Sequence, residues 1–216
     1  MDCSVQRTNG AVVTAEVLSQ AMGGSVSLDR YAALLPAFSG ALAQCECVTP
    51  PRIAMFCAQV GHESVGLKYM RELRDANYFA RYNNRPDLGN GPNDGPIFYG
   101  RGPIQVTGRR NYTVLSQWAF DNGLVPTPRF FVDNPDKLAD DQYGFYGAIW
   151  YWSTQRPMND YADRGDIRGA TIAVNGGLNG FDDRVARWNR CRAMGDQLLT
   201  LVEDWQPVYD QLMGIG

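Results

Sequence analysis

Two glutamates in the segment GHESVGLKYMRE, residues 61–72, have the residue type and spacing that acid–base chemistry needs. Glu63 and Glu72 lie nine positions apart, and His62, the only histidine of the chain, precedes the first of them. Cleavage of a glycosidic bond uses one carboxylic acid that donates a proton and one carboxylate that activates water. The segment suits that chemistry only if its two glutamates differ in charge state.

The sequence places Glu63 on the apolar side of a helix, at the C-terminal end. The Thr-Pro-Pro of residues 49–51 predicts the helix start, and apolar residues then recur every three or four positions as far as Glu63. Burial and the negative end of a helix both favour the protonated carboxyl group, which is what a general acid requires. The alternative is a structural glutamate tied to an arginine, a common arrangement on apolar helical faces.

Glu72 has a different environment, because YMRELRD places Arg71 and Arg74 beside it. Nearby positive charge keeps a carboxylate ionised, so Glu72 is expected to act as the base. His62 has two interpretations: it positions Glu63, or it is a satisfied structural histidine. The structural interpretation is the favoured one.

The segment FYGRGPIQVTGRRNY, residues 98–112, is a second candidate for the site. Its first two glycines let the backbone turn tightly or approach a ligand. In an extended IQVT, Gln105 and Thr107 share one face, so an amide and a hydroxyl stand side by side. Asn111 follows at the start of the next helix. Taken alone, the same pattern also fits a turn and a short β segment.

A mainly helical framework is predicted to position these residues. Besides the helix that leads to Glu63, helices are predicted over 14–22, 109–121, 135–153, 166–175, 182–191 and 194–205. A further helix, capped by Ser27, is expected to kink or end at Pro36. Residues 81–103, rich in Gly, Pro, Asn and Asp, are predicted to form a long functional loop. The run FYGAIWYW is expected to be core rather than a sugar platform. Arg184, Arg187 and Arg190 are expected to form a solvated face, and the alternative is that they pair with Asp182, Asp183 or the catalytic region.

Together these motifs resemble the family 19 glycoside hydrolases, which include plant-type chitinases and a large set of phage endolysins. The resemblance is carried by GHES at 61–64, YGRGPIQVTGRRNY at 99–112 and AVNGGLNG at 173–180, which occur in the family's order. It implies a mainly α, lysozyme-like, two-lobed α+β fold with a central cleft and at most a small β-hairpin.

The resemblance also implies an inverting mechanism and a set of site residues. Glu63 matches the general acid, Glu72 the carboxylate that activates water, and Thr107 the residue that helps to hold this water. The substrate-binding residues are predicted to be His62, Tyr99, Gln105, Asn111 and Asn175. An inverting pair needs carboxyl groups roughly 6.5–9.5 Å apart to admit the water. No metal or organic cofactor is expected.

Departures from the plant-type pattern favour bacterial peptidoglycan over chitin. The chitinases carry an acidic residue two positions after Asn-Gly-Gly, where this chain has Asn179, and their long loops and disulfide set are missing. The short interval between the two glutamates is more similar to phage endolysins. The predicted function is an endolysin glycosidase of muramidase type that cuts the N-acetylmuramic acid/N-acetylglucosamine strand for host cell lysis. A chitinase and a non-catalytic wall-binding module are the alternatives.

Composition argues against several other functions. A net charge of −3 without a basic block disfavours a nucleic-acid partner. No stretch reaches the roughly 18 apolar residues of a membrane span. Five cysteines and a single histidine do not match a zinc-site pattern, which also disfavours a metallohydrolase built on HES. Cys57 is expected to be a buried thiol.

The chain is predicted to form a single catalytic domain over residues 1–205, followed by a tail or trimmed linker over 206–216. A monomer is expected, either alone or as the catalytic module of a larger lysin, since an acidic chain gains little from steering towards an anionic wall. The polar N-terminus lacks an apolar signal core. The protein is therefore expected to be made in the host cytoplasm and, as the resemblance to endolysins implies, to reach the wall through a pore.

Overall fold

The computed structural model describes residues 14–203, and most of them are helical. The α-helices in chain order are α1 (14–22), α2 (Leu28–Gln44), α3 (Pro50–Glu63), α4 (Ala76–Phe79), α5 (Arg109–Asp121), α6 (Phe130–Asp133), α7 (Gly144–Trp150), α8 (Met158–Asp163), α9 (Ile167–Asn175), α10 (Phe181–Met194) and α11 (Thr200–Glu203). Short 3₁₀ turns occupy Ala80–Tyr82, Pro86–Leu88, Pro135–Ala139 and Gly195–Leu199, and a π-helical turn occupies Tyr151–Gln155. The predicted mainly α class is confirmed.

Extended pairing within residues 14–203 is limited to isolated bridges. Arg101 pairs antiparallel with Arg71 and with Val106, and the predicted limit of one small hairpin is therefore met. No helix in this part of the chain is long and apolar enough to cross a membrane. The predicted tail, 206–216, lies outside the described residues, and the single domain over 1–205 stays a prediction.

The described residues form two compact units, 14–68 with 152–203 (unit 1) and 69–151 (unit 2). Unit 1 is built around α3, in which nine consecutive residues, 53–61, are buried. Helix α10 packs most extensively on α3, and α8 and α9 also contact it. Cys57 on α3 is a buried free thiol, as predicted. A helix buried along most of its length has little freedom to move, so α3 fixes the backbone position of Glu63, its last residue.

Side-chain caps start two helices of unit 1, and the cap at Ser27 was predicted. The side chain of Ser27 accepts a hydrogen bond from the first turn of α2, and that of Asp166 does the same for α9. Helix α2 nevertheless does not end at Pro36, which lies inside it. Leu34 and Phe38, on either side of the proline, are both buried. Their packing offsets the backbone hydrogen bond that the proline removes.

Unit 2 has its own apolar core, formed where α6 and α7 pack on α5. Buried members of this core include Phe98, Tyr112, Leu115, Phe131, Leu138 and Trp150. The predicted loop 81–103 is tied to this core by buried polar groups. Arg101, only 2% exposed, donates hydrogen bonds to the carbonyl of Ile97 and the hydroxyl of Tyr112. The loop is therefore a defined surface that can present side chains in fixed positions.

The single helix predicted over 135–153 is wrong. The structure has a 3₁₀ turn at Pro135–Ala139, non-helical residues after it, helix α7 from Gly144 and the π-helical turn from Tyr151. Two adjacent aspartates, Asp140 and Asp141, and Gly144 are weak helix formers, and they interrupt the pattern. The apolar assignment of FYGAIWYW holds, since Phe145, Trp150 and Trp152 are all buried.

Candidate active site

In unit 1, Glu63 forms an ion pair with Arg184 of α10. The Oε1 atom of Glu63 accepts a hydrogen bond from Nη2 of Arg184, and Gln59, one helical turn earlier, accepts one from Nη1 at 2.5 Å. The Arg184 side chain is 1% exposed and that of Glu63 is 23% exposed. The arginine partner that was the alternative interpretation of Glu63 is therefore present, and Arg184 supplies a positive charge beside the carboxylate.

His62 is held against the start of α10. Its Nδ1 atom lies 2.7 Å from Oδ2 of Asp183, which also accepts a hydrogen bond from Nε of Arg187 at 2.7 Å. The imidazole packs on Gly180, where an added Cβ would lie 2.1 Å from the ring. Burial raises the pKa of Asp183, but Arg187 and His62 outweigh it and the net pKa is lowered. These contacts give His62 a structural role in joining α3 to α10.

The expected solvated arginine face of α10 is wrong, and the alternative, in which the arginines pair with Asp183 and with the catalytic region, is the one found. Arg184 is buried against Glu63, Arg187 binds Asp183 and the carbonyl of Met22, and Arg190 binds the carbonyl of Ala21. The spacing of three residues places all three on one helix face, as the sequence indicates. That face is turned towards α1 and α3 rather than towards solvent, because carbonyls and a carboxylate there supply acceptors.

In unit 2, Glu72 is held by a tyrosine that the sequence analysis did not single out. The hydroxyl of Tyr82 donates to the Glu72 carboxylate, at 3.2 Å from Oε1 and 3.4 Å from Oε2. Burial, and then the negative charge of Glu72, raise the pKa of Tyr82 to about 12, so the phenol remains a donor at neutral pH. The sequence signal that could have identified Tyr82 is its position ten residues after Glu72, in the aromatic segment ANYFARY of residues 76–82.

The sequence places the positive charges of Arg71 and Arg74 next to Glu72 along the chain. Within residues 14–203, neither Arg71 nor Arg74 forms an ion pair with this carboxylate. Arg71 belongs to a β-bridge, and side chains adjacent in an extended segment point to opposite faces. Arg74 lies over the ring of Tyr78 at 5.3 Å.

Residues 100–107 bring Gln105 and Thr107 beside the backbone that holds Glu72. The N–H of Glu72 donates to the carbonyl of Gly100 at 2.9 Å. A Cβ added to Gly100 would lie 2.8 Å from Oε1 of Gln105 and 3.3 Å from Oγ1 of Thr107. The absence of a side chain at Gly100 is therefore what allows the amide and the hydroxyl to stand next to each other.

The local backbone differs from the predicted extended IQVT. Residues 102–105 form a turn in which Gln105 has a φ of +58°, a left-handed value that is uncommon for a residue with a side chain. The amide of Gln105 donates to the carbonyl of Gly102 at 2.9 Å, which helps to hold this conformation. Asn111 donates to the carbonyl of Thr107 at 2.8 Å. The predicted juxtaposition of Gln105 and Thr107 is thus present, but a turn rather than a strand produces it.

Tyr99 has both faces of its ring covered within unit 2. The ring of Phe79 stacks on it, with 4.1 Å between centroids and 7° between planes, and the guanidinium carbon of Arg101 lies 3.8 Å from its centroid. Two groups this close cannot share one face. The hydroxyl and the ring edge of Tyr99 are therefore its parts that can meet a ligand.

Asn175 ends α9, and its side chain donates to the carbonyl of Asn179 at 3.4 Å. Both residues are exposed. Residues 14–203 contain no group of three or more His, Cys, Asp or Glu side chains arranged to hold a metal ion.

Comparisons with known proteins identify the same family as the three sequence motifs at 61–64, 99–112 and 173–180. The family model for glycosyl hydrolase family 19, described as chitinase class I, matches residues 30–164, more than half of the chain. A Haemophilus influenzae protein described as containing a glycosyl hydrolase family 19 domain is 29% identical over 177 residues, which cover 68% of this chain and 82% of that protein. The family-model match includes Glu63, Glu72 and Thr107, and it ends before Asn175 and Arg184.

Plant and bacterial chitinases are also similar to this chain. The acidic 27 kDa endochitinase of Solanum lycopersicum is 36% identical over 103 residues, which are 47% of this chain and 36% of that enzyme. The chain thus matches little more than a third of the plant enzyme's length. Chitinase C from Streptomyces griseus superposes with a TM-score of 0.62 at 22% identity, covering 88% of this chain and 78% of that one. At this identity the likeness shows a shared fold.

Proposed function

The chain belongs to glycoside hydrolase family 19 and is a glycoside hydrolase, and from that premise we propose that it cuts the glycan strand of bacterial peptidoglycan as an endolysin of muramidase type. The observation that carries the assignment of its catalytic groups is that, among residues 14–203, the carboxylate of each glutamate has one hydrogen-bonding side chain as its partner. Arg184 holds Glu63 in unit 1, and Tyr82 holds Glu72 in unit 2.

Glu63 is the general acid in this proposal. Its Oε1 atom accepts from Arg184, so the proton that it gives to the glycosidic oxygen is carried on Oε2. Arg184 fixes the orientation of the carboxyl group, and it is a positioning residue rather than a catalytic one. When Glu63 has given up its proton, the same guanidinium stabilises the carboxylate that remains.

Glu72 is the general base, and Thr107 orients the water that it activates. The hydroxyl of Tyr82 donates to the Glu72 carboxylate, which orients the oxygens that take the proton from the water. The hydroxyl of Thr107 donates to the carbonyl of Gln105 at 2.9 Å, so its lone pairs remain to accept a hydrogen bond from that water. Attack by that water on the sugar face opposite the leaving group inverts the anomeric centre.

The remaining predicted residues supply polar contacts to N-acetyl sugars. Amide groups suit the acetamido substituents of such sugars, since an amide both donates and accepts. The side chains assigned to this role are Gln105, Asn111, Asn175 and the hydroxyl of Tyr99. His62 acts indirectly, through the contact with Asp183 that holds the neighbouring Glu63 in place.

Peptidoglycan is the proposed substrate because the sequence departs from the plant-type pattern at Asn179 and in the short interval between Glu63 and Glu72. Chitin is the second candidate, and the 36% identity to a tomato endochitinase favours it. A wall-binding module without catalysis is the third, and the retention of both glutamates and Thr107 argues against it.

The proposal extends to where and how the enzyme acts. A lysin of this kind is made in the host cytoplasm, crosses the membrane through a pore formed by another protein, and degrades the wall as a monomer. It works either alone or as the catalytic module of a larger lysin. The resemblance to phage endolysins motivates this part of the proposal.

Lysis of purified peptidoglycan, with product ends identified by mass, tests the proposal. The wild type and a control, Glu16→Gln at an exposed position of α1, are expected to release muropeptide sugars, while Glu63→Gln releases none. Cleavage of chitin oligomers without cleavage of peptidoglycan would establish the chitinase instead. Binding to the wall without cleavage of either polymer would establish the binding module.

A further inference from the structure

Asn90 lies in the loop 81–103 of unit 2, and its side chain is bound at both ends. The residue is 7% exposed. Its Nδ2 atom donates to the carbonyl of Tyr82 at 2.9 Å, and its Oδ1 atom accepts from the backbone N–H of Arg109 at 2.7 Å. A carbonyl can only accept and an N–H can only donate. The two partners therefore fix the orientation of this buried amide.

The donor end of Asn90 holds the residue that binds Glu72. Tyr82 is the last residue of the 3₁₀ turn Ala80–Tyr82, and carbonyls at the end of a helical turn have no partner within it. The amide of Asn90 supplies a donor to the carbonyl of Tyr82. The side chain of the same tyrosine donates to the Glu72 carboxylate at 3.2 and 3.4 Å. The bond from Asn90 thus fixes the backbone position from which the Tyr82 hydroxyl reaches Glu72.

The acceptor end of Asn90 holds the start of α5, two residues after Thr107. Arg109 is the first residue of α5, and Gly108, at the capping position before it, has no side chain that could accept from the helix. The first N–H groups of a helix need acceptors from outside the helix. Asn90 supplies such an acceptor from the loop, so the backbone that follows Thr107 is tied to the loop.

The glycine at position 108 allows the loop to approach α5 this closely. Gly108 has a φ of +93°, and a Cβ added to it would lie 2.8 Å from both the Cβ and the carbonyl oxygen of Leu88. Leu88 precedes Asn90 by two residues. A side chain at position 108 would push the loop away from the helix start. The bond between Asn90 and Arg109 therefore depends on direct backbone packing at Gly108.

We propose that Asn90 is a positioning residue for glycan hydrolysis, which sets the place of the base Glu72 relative to the water site at Thr107. One amide holds both Tyr82, the partner of Glu72, and the helix start beside Thr107. The inference rests on the proposed function, since that function assigns the roles of Glu72 and Thr107. A misplacement of about 1 Å can cost up to about a hundredfold in rate. Asn90 is buried, so it acts through these residues rather than on the glycan.

Other bonds close the loop without Asn90. The carboxylate of Asp94 accepts from the guanidinium of Arg109 at 2.6 and 2.5 Å. The N–H of Gly95 donates to Oδ1 of Asn83 at 2.8 Å. Loss of the donor of Asn90 is therefore expected to leave the loop folded and to displace Tyr82 within it.

Kinetics of the Asn90→Asp variant test the inference. This substitution keeps an oxygen for the N–H of Arg109, but it places a second oxygen against the carbonyl of Tyr82, so the donor bond is lost. We expect kcat for glycan cleavage to fall about tenfold while KM stays within about twofold of the wild-type value. An unchanged kcat, or a loss that appears in KM alone, overturns the inference.

Asn83→Asp is the matched control, because it makes the same chemical change in the same loop. Its Oδ1 atom can still accept from Gly95, so kcat should remain that of the wild type. An equal loss in this control would show that any added charge in the loop slows the enzyme, and the inference would fail. If Asn90→Asp does not fold, Asn90→Ala takes its place. It removes both bonds without adding a charge and should lower kcat at least tenfold.

A double-mutant cycle shows whether Asn90 acts through Tyr82. The Tyr82→Phe variant already lacks the hydroxyl that orients Glu72. Addition of Asn90→Asp to this variant is therefore expected to lower kcat by less than about a further twofold. A general weakening of the fold would instead multiply the two losses. A full further tenfold loss in the double variant contradicts the proposed route.

A crystal structure of Asn90→Asp separates the inference from the proposed function, because it requires no activity. The Tyr82 hydroxyl is expected to lie beyond hydrogen-bond distance of the Glu72 carboxylate. If it does, and the wild type cuts neither peptidoglycan nor chitin, the proposed function fails and the positioning of Tyr82 by Asn90 stands. If the wild type cuts glycan and the hydroxyl stays on Glu72 in the variant, the inference alone fails.

Discussion

The carboxylate of Glu63, at the last residue of α3, is bound by the guanidinium of Arg184, whose side chain is 1% exposed. Gln59 accepts from the same guanidinium. A buried arginine with these two acceptors fixes the register of α10 on α3 and the rotamer of Glu63 at once. Stability of unit 1 and orientation of the proposed acid therefore depend on one side chain.

Replacement of Arg184 by Met is expected to lower the free energy of unfolding by about 2–4 kcal/mol, because Gln59 and Glu63 lose their donor in a buried setting. Denaturation by urea at neutral pH measures this change. Arg168→Met, at an exposed position of α9, is the control and should change stability by less than about 0.5 kcal/mol. A loss of less than about 1 kcal/mol for Arg184→Met would mean that the pair does not organise unit 1.

The substitution Tyr82→Phe is expected to reduce the rate of glycan cleavage about tenfold, because it removes the hydroxyl that orients the Glu72 carboxylate. The ring remains, so folding should be unchanged. Tyr78→Phe is the matched control, since its hydroxyl contacts Arg81 instead. An unchanged rate for Tyr82→Phe, measured on the same substrate, would show that Glu72 does not depend on this hydrogen bond.

Asp94 is expected to make the stability of unit 2 fall as the pH is lowered in the acidic range. Hydrogen bonds from Arg109, at 2.6 and 2.5 Å, lower the pKa of this buried aspartate, against the opposing effect of burial. A carboxyl group with a depressed folded-state pKa contributes stability above its unfolded value, near 4, and loses it as pH falls through the folded value. Between pH 5 and 2, the wild type should therefore lose stability more steeply than Asp94→Asn in denaturant titrations. Parallel curves for the two proteins would contradict this assignment.

Local signals were sufficient to predict much of the framework. The start of α3 follows from Thr-Pro-Pro at 49–51, and its end at Glu63 follows from the apolar spacing. Helix α9 was predicted over 166–175 and spans Ile167–Asn175. These features depend on residues within a few positions of each other, so the sequence contains the information needed to predict them.

Contacts between distant residues could not be predicted in the same way. Glu63 and Arg184 are 121 positions apart, and periodicity says only that Arg184 shares a helix face with Arg187. The sequence therefore indicated an arginine partner for Glu63 only as an alternative, and it could not identify Arg184 as that partner. Gln105 illustrates a second limit, because its left-handed backbone depends on the turn around it rather than on its own preference.

Gly100 provides the sharpest test of the arrangement in unit 2. An alanine there would place its Cβ 2.8 Å from Oε1 of Gln105 and 3.3 Å from Oγ1 of Thr107. The longer and more flexible Gln105 side chain can move away at little cost in stability. The amide of Gln105 would then move away from the hydroxyl of Thr107. The proposed water site at Thr107 would lose this neighbouring amide.

Gly100→Ala is therefore expected to lower the rate of glycan cleavage at least tenfold while changing the free energy of unfolding by no more than about 1–2 kcal/mol. Gly91→Ala is the control, because a Cβ at Gly91 meets Oδ2 of Asp94 at 3.5 Å, an ordinary contact distance. Rates and urea denaturation are measured on both variants and the wild type. If Gly100→Ala kept the wild-type rate, Gln105 and Thr107 could not both be part of the catalytic arrangement. If it lost stability and activity in proportion, Gly100 would serve the fold of the loop rather than the site.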